Sequence, residues 1–77
     1  MAFFSSDELY FILRHLVNEI QFESIKDLKS ERGRKSRDMR VNSYAKVGQE
    51  ILSNHGGLMY QDDYEYFYWF FENNLRR

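Results

Sequence analysis

Residues 5–20 read SSDELYFILRHLVNEI, and this stretch carries the clearest fold signal in the chain. Ser5 is followed three residues later by Glu8, which is the capping-box pattern found at helix starts. Apolar residues then recur at steps of three and four, as they do on one face of an α-helix. We therefore predict a first helix over about residues 6–22. Its inner face is expected to hold Leu9, Ile12, Leu13, Leu16 and Ile20.

A second helical stripe runs through the middle of the chain, from Val41 to His55. Gly56 and Gly57 follow it, and a glycine in the left-handed conformation is a common helix stop. Gly48 interrupts the stripe at a cost of about 1 kcal/mol relative to alanine, which predicts the close approach of another helix there. The stripe consists of Val41, Tyr44, Ala45, Gly48, Ile51, Leu52 and His55.

The last segment is dominated by aromatic side chains, which occupy seven of the eight positions from Tyr64 to Phe71. Aromatic residues favour strands, so a β-strand is the alternative structure for this segment. Asp62 and Glu65 have the spacing of a helix cap, and the polar residues after Phe71 also favour a helix. We therefore predict a helix that begins near Asp62.

The composition favours helices joined into one small domain. Proline, the strongest breaker of helix interiors, is absent from all 77 residues. The predicted fold is mainly α, a compact three- or four-helix bundle that spans residues 1–77 as a single domain. Without cysteine the chain forms no disulfide, which fits a reducing compartment. The chain shows no export signal and no run of about 20 apolar residues, so we expect a cytoplasmic protein that does not enter membranes.

Candidate groups for catalysis or metal binding are few and scattered. No serine lies in the Gly-x-Ser-x-Gly turn that presents a catalytic nucleophile. A zinc site needs several His or Cys ligands at short spacing, whereas His15 and His55 are forty residues apart. His55 with Asp62 and Asp63 is a weak candidate for a hard cation. We predict no catalytic residue, no cofactor, no metal site and no enzyme activity.

Positive charge is concentrated between two acidic ends of the chain. Residues 26–46 carry a net charge of +5, whereas residues 1–25 and residues 47–77 each carry −3. This density of arginine and lysine is typical of surfaces that bind phosphates or an acidic protein, although many such runs are only solvated surface. The candidate binding residues of this basic segment are Arg32, Arg34, Lys35, Arg37 and Arg40.

A helix-turn-helix arrangement is one way in which the basic segment would bind nucleic acid. Ser24 with Asp27 resembles a helix start, which predicts a short helix after the first one. If residues 25–32 and 39–54 are helices, Gly33 lies in the turn between them. The acidic ends of the chain oppose this function, since they would repel phosphates that approach broadly.

A helix with so many aromatic residues cannot bury all of them within a small domain. Eight successive positions cover every side of a helix, which turns once in about 3.6 residues. The inner set is expected to be Tyr64, Phe67, Tyr68, Phe71 and Leu75, and the outer set Tyr66, Trp69 and Phe70. Tyr and Trp are enriched at binding hot spots, so we interpret the outer set as a protein-binding surface. The alternative is a core that encloses all the rings while the tyrosine hydroxyls reach water.

These features predict a small non-enzymatic module that binds a protein partner, or a second copy of itself as a homodimer, through Tyr66, Trp69 and Phe70. Small cysteine-free proteins of this kind often modulate or inhibit larger macromolecular machines, as phage-type regulators do. The alternative is a small nucleic-acid-binding or transcription-regulating protein that uses the basic segment, residues 26–46.

Overall fold

The computed structural model describes residues 4–75, and these residues form three α-helices. α1 spans Ser6–Ser24, α2 spans Glu31–His55 and α3 spans Gln61–Leu75, with a short 3₁₀ helix, Gly56–Leu58, between α2 and α3. Helices make up 86% of the described residues and none of these residues lies in a strand, so the mainly α bundle is confirmed. The strand alternative for the aromatic segment is wrong, because α3 contains the whole of that segment.

α1 begins where the sequence predicts. The Ser5 Oγ accepts a hydrogen bond from the Glu8 backbone N–H over 3.2 Å, and the Glu8 Oε1 accepts one from the Ser5 N–H over 3.4 Å. This reciprocal pair is the predicted capping box. The prediction that a second helix starts at Ser24 is wrong. Ser24 is the last residue of α1, and its hydroxyl donates back to the carbonyl of Ile20 over 2.9 Å.

α2 is a single helix of 25 residues that contains the whole stretch from Arg32 to Arg40. Ser30 is its N-cap, because the Ser30 Oγ accepts a hydrogen bond from the Gly33 N–H over 2.9 Å. The predicted helix-turn-helix is therefore wrong, since Gly33 lies in the first turn of α2 and not between two helices. The buried residues of α2 begin only at Val41, so its first ten residues have no buried side.

α2 ends at the predicted place but not with the predicted geometry. Gly56 has a φ of −60° and a ψ of −23°, and no described glycine has a positive φ. A Cβ at Gly56 would collide with the ring of Tyr64 on α3. The prediction of a left-handed stop at Gly56 and Gly57 is wrong, because glycine is needed at Gly56 for space and the chain continues into the 3₁₀ helix.

α2 packs against both of the other helices. The predicted close approach at Gly48 is confirmed, since the ring carbons of Phe71 would lie 2.6 Å from a Cβ at this position. A residue without a side chain therefore allows α3 to lie directly on α2. All three helices contribute to one core, which consists of Leu13, Val17, Ile20, Val41, Ala45, Leu52, Phe67 and Phe71.

α1 and α3 run parallel to each other, because each is antiparallel to α2. Phe4, just before α1, contacts His55 at the end of α2 with ring centroids 5.1 Å apart. Tyr64, in the first turn of α3, lies against Gly56 at the same end of α2. Both helices therefore begin beside the C-terminus of α2 and point toward its N-terminus.

This arrangement separates charge along the long axis of the molecule, which measures 42 Å. The first turns of α1 and α3 place several carboxylates beside the C-terminus of α2, and we call this region the acidic end. Its carboxylates belong to Asp7, Glu8, Asp62 and Asp63. The start of α2 and the connection before it form the basic end, with Lys26, Lys29, Arg32, Arg34 and Lys35.

Candidate functional site

α3 divides its aromatic residues between the core and the surface. Phe67 and Phe71 are fully buried, whereas Trp69 is 68% exposed and Tyr66 is 44% exposed. Phe70 is half-buried. Its ring stacks on Tyr66 with centroids 6.3 Å apart and meets Phe71 edge-on at 5.9 Å. Two of the three predicted outer residues are thus exposed, and the third lies at the border of the core.

Two positions differ from the predicted inner and outer sets. Phe70, predicted to face outward, packs partly against the core. Tyr68, predicted to face inward, is exposed and stacks on Tyr64 with ring centroids 6.1 Å apart. Both residues lie on flanks of α3, one on either side of the line through Phe67 and Phe71. Burial on a flank depends on which neighbouring helix reaches it, and spacing along one helix does not define that.

α1 adds two rings that did not belong to the predicted binding set. Tyr10 meets the buried Phe67 with ring centroids 5.6 Å apart, and Phe11 meets Tyr10 at 6.0 Å. Phe67 in turn contacts Tyr66 at 5.3 Å, so ring contacts run without a break from α1 to α3. We define the aromatic surface as the exposed and half-buried residues Tyr10, Phe11, Tyr66, Trp69 and Phe70.

The sequence contained one signal for these two residues. Tyr10 and Phe11 lie beside the apolar stripe of α1 and not within it, so α1 has more large apolar residues than its inner face requires. Phe11 is 70% exposed, although it belongs to the most hydrophobic stretch of α1. Their association with α3 depends on the packing of two helices far apart in the chain, which no local pattern indicates.

The helices that carry the aromatic surface are acidic. The described part of α3, Gln61–Leu75, contains four carboxylates and no lysine or arginine. In α1, Asp7 lies one turn before Phe11, and Arg14 lies one turn after it. A surface with this balance has a negative potential and attracts cationic groups.

The five predicted basic residues do not share one face of α2. The helix turns once in about 3.6 residues, so positions 32, 34, 35, 37 and 40 point in directions spread around it. Arg34 points back toward the connection, where its Nη1 donates to the carbonyls of Leu28 and Lys29 over 3.2 Å and 3.1 Å. Its guanidinium therefore holds the loop between α1 and α2 against the first turn of α2.

Two more of the basic residues have acidic neighbours on the same helix. Lys35 Nζ lies 3.5 Å from Glu31, and Arg37 Nε lies 3.3 Å from Asp38. Both contacts are between residues close in the chain, and an exposed pair such as Lys35 with Glu31 stabilises a protein little. Arg32 is exposed on the outer side of α2. Arg32 and Lys35 are the members of the set that are most available to a partner.

Arg40 forms a bidentate ion pair with the buried carboxylate of Glu23. Its Nε and Nη2 donate to the two carboxylate oxygens over 2.8 Å and 3.1 Å, and Lys26 Nζ donates to the same carboxylate over 3.1 Å. The hydrogen bonds from Arg40 hold the pKa of Glu23 below its ordinary value, although burial acts to raise it. The same pair raises the pKa of Arg40. Arg40 therefore joins the end of α1 to α2.

The remaining surface offers shallow grooves. One of about 370 Å³ lies beside Arg40, and another of about 390 Å³ lies beside the 3₁₀ helix. Within residues 4–75, no three His, Cys, Asp or Glu side chains come together in a way that could hold a metal ion. The helices of this part of the chain are each too short or too polar to cross a membrane.

Comparison with known proteins adds no relative to this description: no protein-family model, no curated protein and no solved structure matches the chain significantly.

Proposed function

We propose that this protein is a non-enzymatic protein-binding module whose docking surface is the aromatic surface. The observation that carries the proposal is the unbroken run of ring contacts from Phe11 on α1 to Phe70 on α3. Trp69 extends this surface outward, because it lies one helical turn beyond Tyr66.

The cost of leaving these rings in water supports the proposal. Enclosure of one aromatic side chain buries about 150–250 Å², and each Å² of apolar surface removed from water contributes about 25 cal/mol. Contiguous exposed apolar surface marks interaction sites in soluble proteins. Tyr and Trp are also among the residues whose truncation costs most at protein interfaces.

The way in which the rings are held also favours binding. Phe67 is fully buried, and both Tyr10 and Tyr66 pack against its ring. Side chains that are already ordered lose little entropy when a partner covers them, so more of the contact energy appears as affinity. A small helical bundle with one rigid face is a form that effective protein binders take.

The proposal includes a role as a modulator or inhibitor of a larger macromolecular machine. A module of 77 residues that performs no chemistry acts by occupying or holding a surface of its partner. Small phage-type regulators act in this way. Self-association through the same surface, as a homodimer, is the second form that this binding would take.

The test compares Trp69→Ala with Phe22→Ala. Phe22 is 57% exposed on α1 but lies about three turns after Phe11 and outside the run of ring contacts, so its truncation removes a comparable ring that does not belong to the aromatic surface. A partner captured from a lysate is identified, purified and titrated against each variant by calorimetry. Trp69→Ala should weaken binding about thirtyfold, which is about 2 kcal/mol and typical of a hot spot. Phe22→Ala should bind as the wild type does.

Two further measurements complete the test. Circular dichroism of both variants should show unchanged helix content, since neither ring belongs to the core. Sedimentation over a range of concentrations identifies a homodimer, which Trp69→Ala should dissociate. Equal binding by the wild type and Trp69→Ala, with neither partner affinity nor self-association changed, would overturn the proposal.

A further inference from the structure

We infer that the segment bound by the aromatic surface is a basic segment of a different protein, with arginine or lysine side chains that lie over the exposed rings. This inference rests on the proposed function and specifies the chemistry of the partner. It follows from the charges next to the rings, from the distribution of charge over the whole molecule and from the kind of contact that exposed rings make.

The carboxylates of α3 are neighbours of the exposed rings. Glu65 precedes Trp69 by four residues, and Asp62 precedes Tyr66 by four residues. Side chains at this spacing lie next to each other on a helix surface. Glu72 follows Trp69 by three residues and lies one turn further along, on the same flank of α3 as Glu65. A cation placed over the Trp69 ring would therefore be close to the carboxylates of Glu65 and Glu72.

α1 contributes charge of the same sign. Asp7 and Glu8 lie in its first turn, at the acidic end, together with the first turn of α3. Arg14 is the single lysine or arginine in Ser6–Ser24. Within the described residues, the other lysines and arginines all lie in residues 26–46. Opposite charges on the two partners speed association and select against acidic ligands.

The rings themselves favour a cation. A lysine or arginine over the face of an aromatic ring is attracted by the charge distribution of the ring, and tryptophan gives the strongest attraction. Among residues 4–75 there is one such contact, in which Lys26 Nζ lies 4.9 Å from the centroid of the exposed Phe22 ring. Within the described residues, no cation lies over the rings of Phe11, Tyr66 or Trp69. A basic partner would supply one.

The experiment uses two synthetic amphipathic helical peptides as probes. Both carry the same leucine face, and one has arginine where the other has glutamate. Binding to the full-length protein is measured by calorimetry and by the fluorescence of Trp69, the single tryptophan of the chain. We expect the arginine peptide to bind at least about tenfold more tightly than the glutamate peptide and to shift the Trp69 emission.

A pair of matched variants tests whether the acidic residues of α3 cause this preference. Asp62→Asn with Glu65→Gln removes two carboxylates near the aromatic surface. Asp27→Asn with Glu31→Gln removes two exposed carboxylates at the basic end, including one in the first turn of a helix. The first pair should reduce affinity for the arginine peptide about fivefold or more, and the second should leave it unchanged.

The outcomes separate this inference from the proposed function. If Trp69→Ala weakens the natural partner but both peptides bind equally, the docking surface stands and the basic partner is excluded. The same holds if the two variant pairs weaken the arginine peptide equally. Concentration-dependent self-association that is lost with Arg32→Ala and Lys35→Ala would show that a second copy fills the surface, and would overturn the inference of a different protein. If Trp69→Ala changes neither partner binding nor self-association, the proposed function itself is wrong.

Discussion

Gly48 shows how one residue controls the packing of two helices. The ring of Phe71 crosses α2 at this position, so closely that ring carbons would lie 2.6 Å from a Cβ. Gly57 makes a useful comparison, because a Cβ there would meet nothing within 4 Å. Neither glycine has a positive φ, so neither substitution places a side chain in the left-handed backbone conformation.

We expect Gly48→Ala to lower the free energy of unfolding by up to about 2 kcal/mol. Overpacking of a filled site costs about 1–3 kcal/mol, and the better helix propensity of alanine returns about 1 kcal/mol. Gly57→Ala should instead raise the free energy by about 0.5 kcal/mol, because it restricts only the unfolded chain. Urea unfolding of both variants measures the two effects. A rise of about 1 kcal/mol in the stability of Gly48→Ala would mean that Phe71 can move aside without cost.

Burial of single residues could be predicted where apolar residues follow a helical stripe. Leu9, Leu13 and Ile20, all on the predicted inner face of α1, are buried. The burial of Glu23 could not be predicted in this way. Its carboxylate is buried because Arg40, seventeen residues later, donates hydrogen bonds to it. Such a pair depends on how α1 meets α2, and helical spacing contains no information about that.

At the scale of helices, the ends were harder to predict than the helices themselves. Ser24 and Ser30 are both serines near a helix boundary, and the local pattern favoured Ser24 as a start. The structure places the start at Ser30, whose Oγ caps α2 while Arg34 holds the preceding connection through two carbonyls. The selection between the two serines thus depends on contacts outside the first turn, and the boundary of α2 was misplaced for that reason.

The ion pair that joins α1 to α2 makes the stability of the fold depend on pH. Because Arg40 lowers the pKa of Glu23 in the folded protein, the unfolded chain takes up a proton first as the pH falls below the ordinary carboxyl value of 4.5. The stabilisation is therefore complete above this pH and is lost progressively below it. Glu23→Gln should lower the melting temperature at pH 7, and its difference from the wild type should shrink toward pH 3.

Glu19→Gln is the matched control for this prediction. Glu19 lies one turn earlier on the same helix, and its partner is the exposed His15, at 3.9 Å. The Glu19→Gln substitution should therefore change the melting temperature little at any pH. Thermal unfolding followed by circular dichroism between pH 3 and pH 7 compares the three proteins. A constant difference between Glu23→Gln and the wild type across this range would contradict the assignment of the pH dependence to Glu23.

For the molecule as a whole, the sequence predicted the class of fold and part of the candidate site. Tyr66 and Trp69 were identified because a helix with aromatic residues on every side must expose some of them. Tyr10 and Phe11 were not, because they become part of the same surface only when α1 and α3 lie side by side. The helix-turn-helix was predicted from composition and glycine position, which do not reveal that α2 is continuous.

Nucleic-acid binding, the alternative function, predicts a steep dependence of affinity on salt. Four neutralised phosphates correspond to a log–log slope of about −3.6 on duplex DNA. Of the five predicted basic residues, only Arg32 and Lys35 project from neighbouring directions of α2 without fastening another element, so we expect this set to give a slope no steeper than about −1.8. Fluorescence anisotropy with labelled DNA measures it, and Arg32→Ala with Lys35→Ala should abolish the remaining binding. A slope near −3.6 would favour the nucleic-acid function over the aromatic surface.

The separation of the acidic and basic ends determines the electrostatic field that another molecule meets as it approaches. In a solution of physiological ionic strength, the field of a charge fades over a Debye length of about 8 Å. The molecule is 42 Å long, several times that distance. An approaching molecule therefore interacts electrostatically with the charges of the nearer end, and the net charge of −1 does not describe this interaction. In electrostatic terms the molecule behaves as two separate charged groups of opposite sign, held at the two ends of α2.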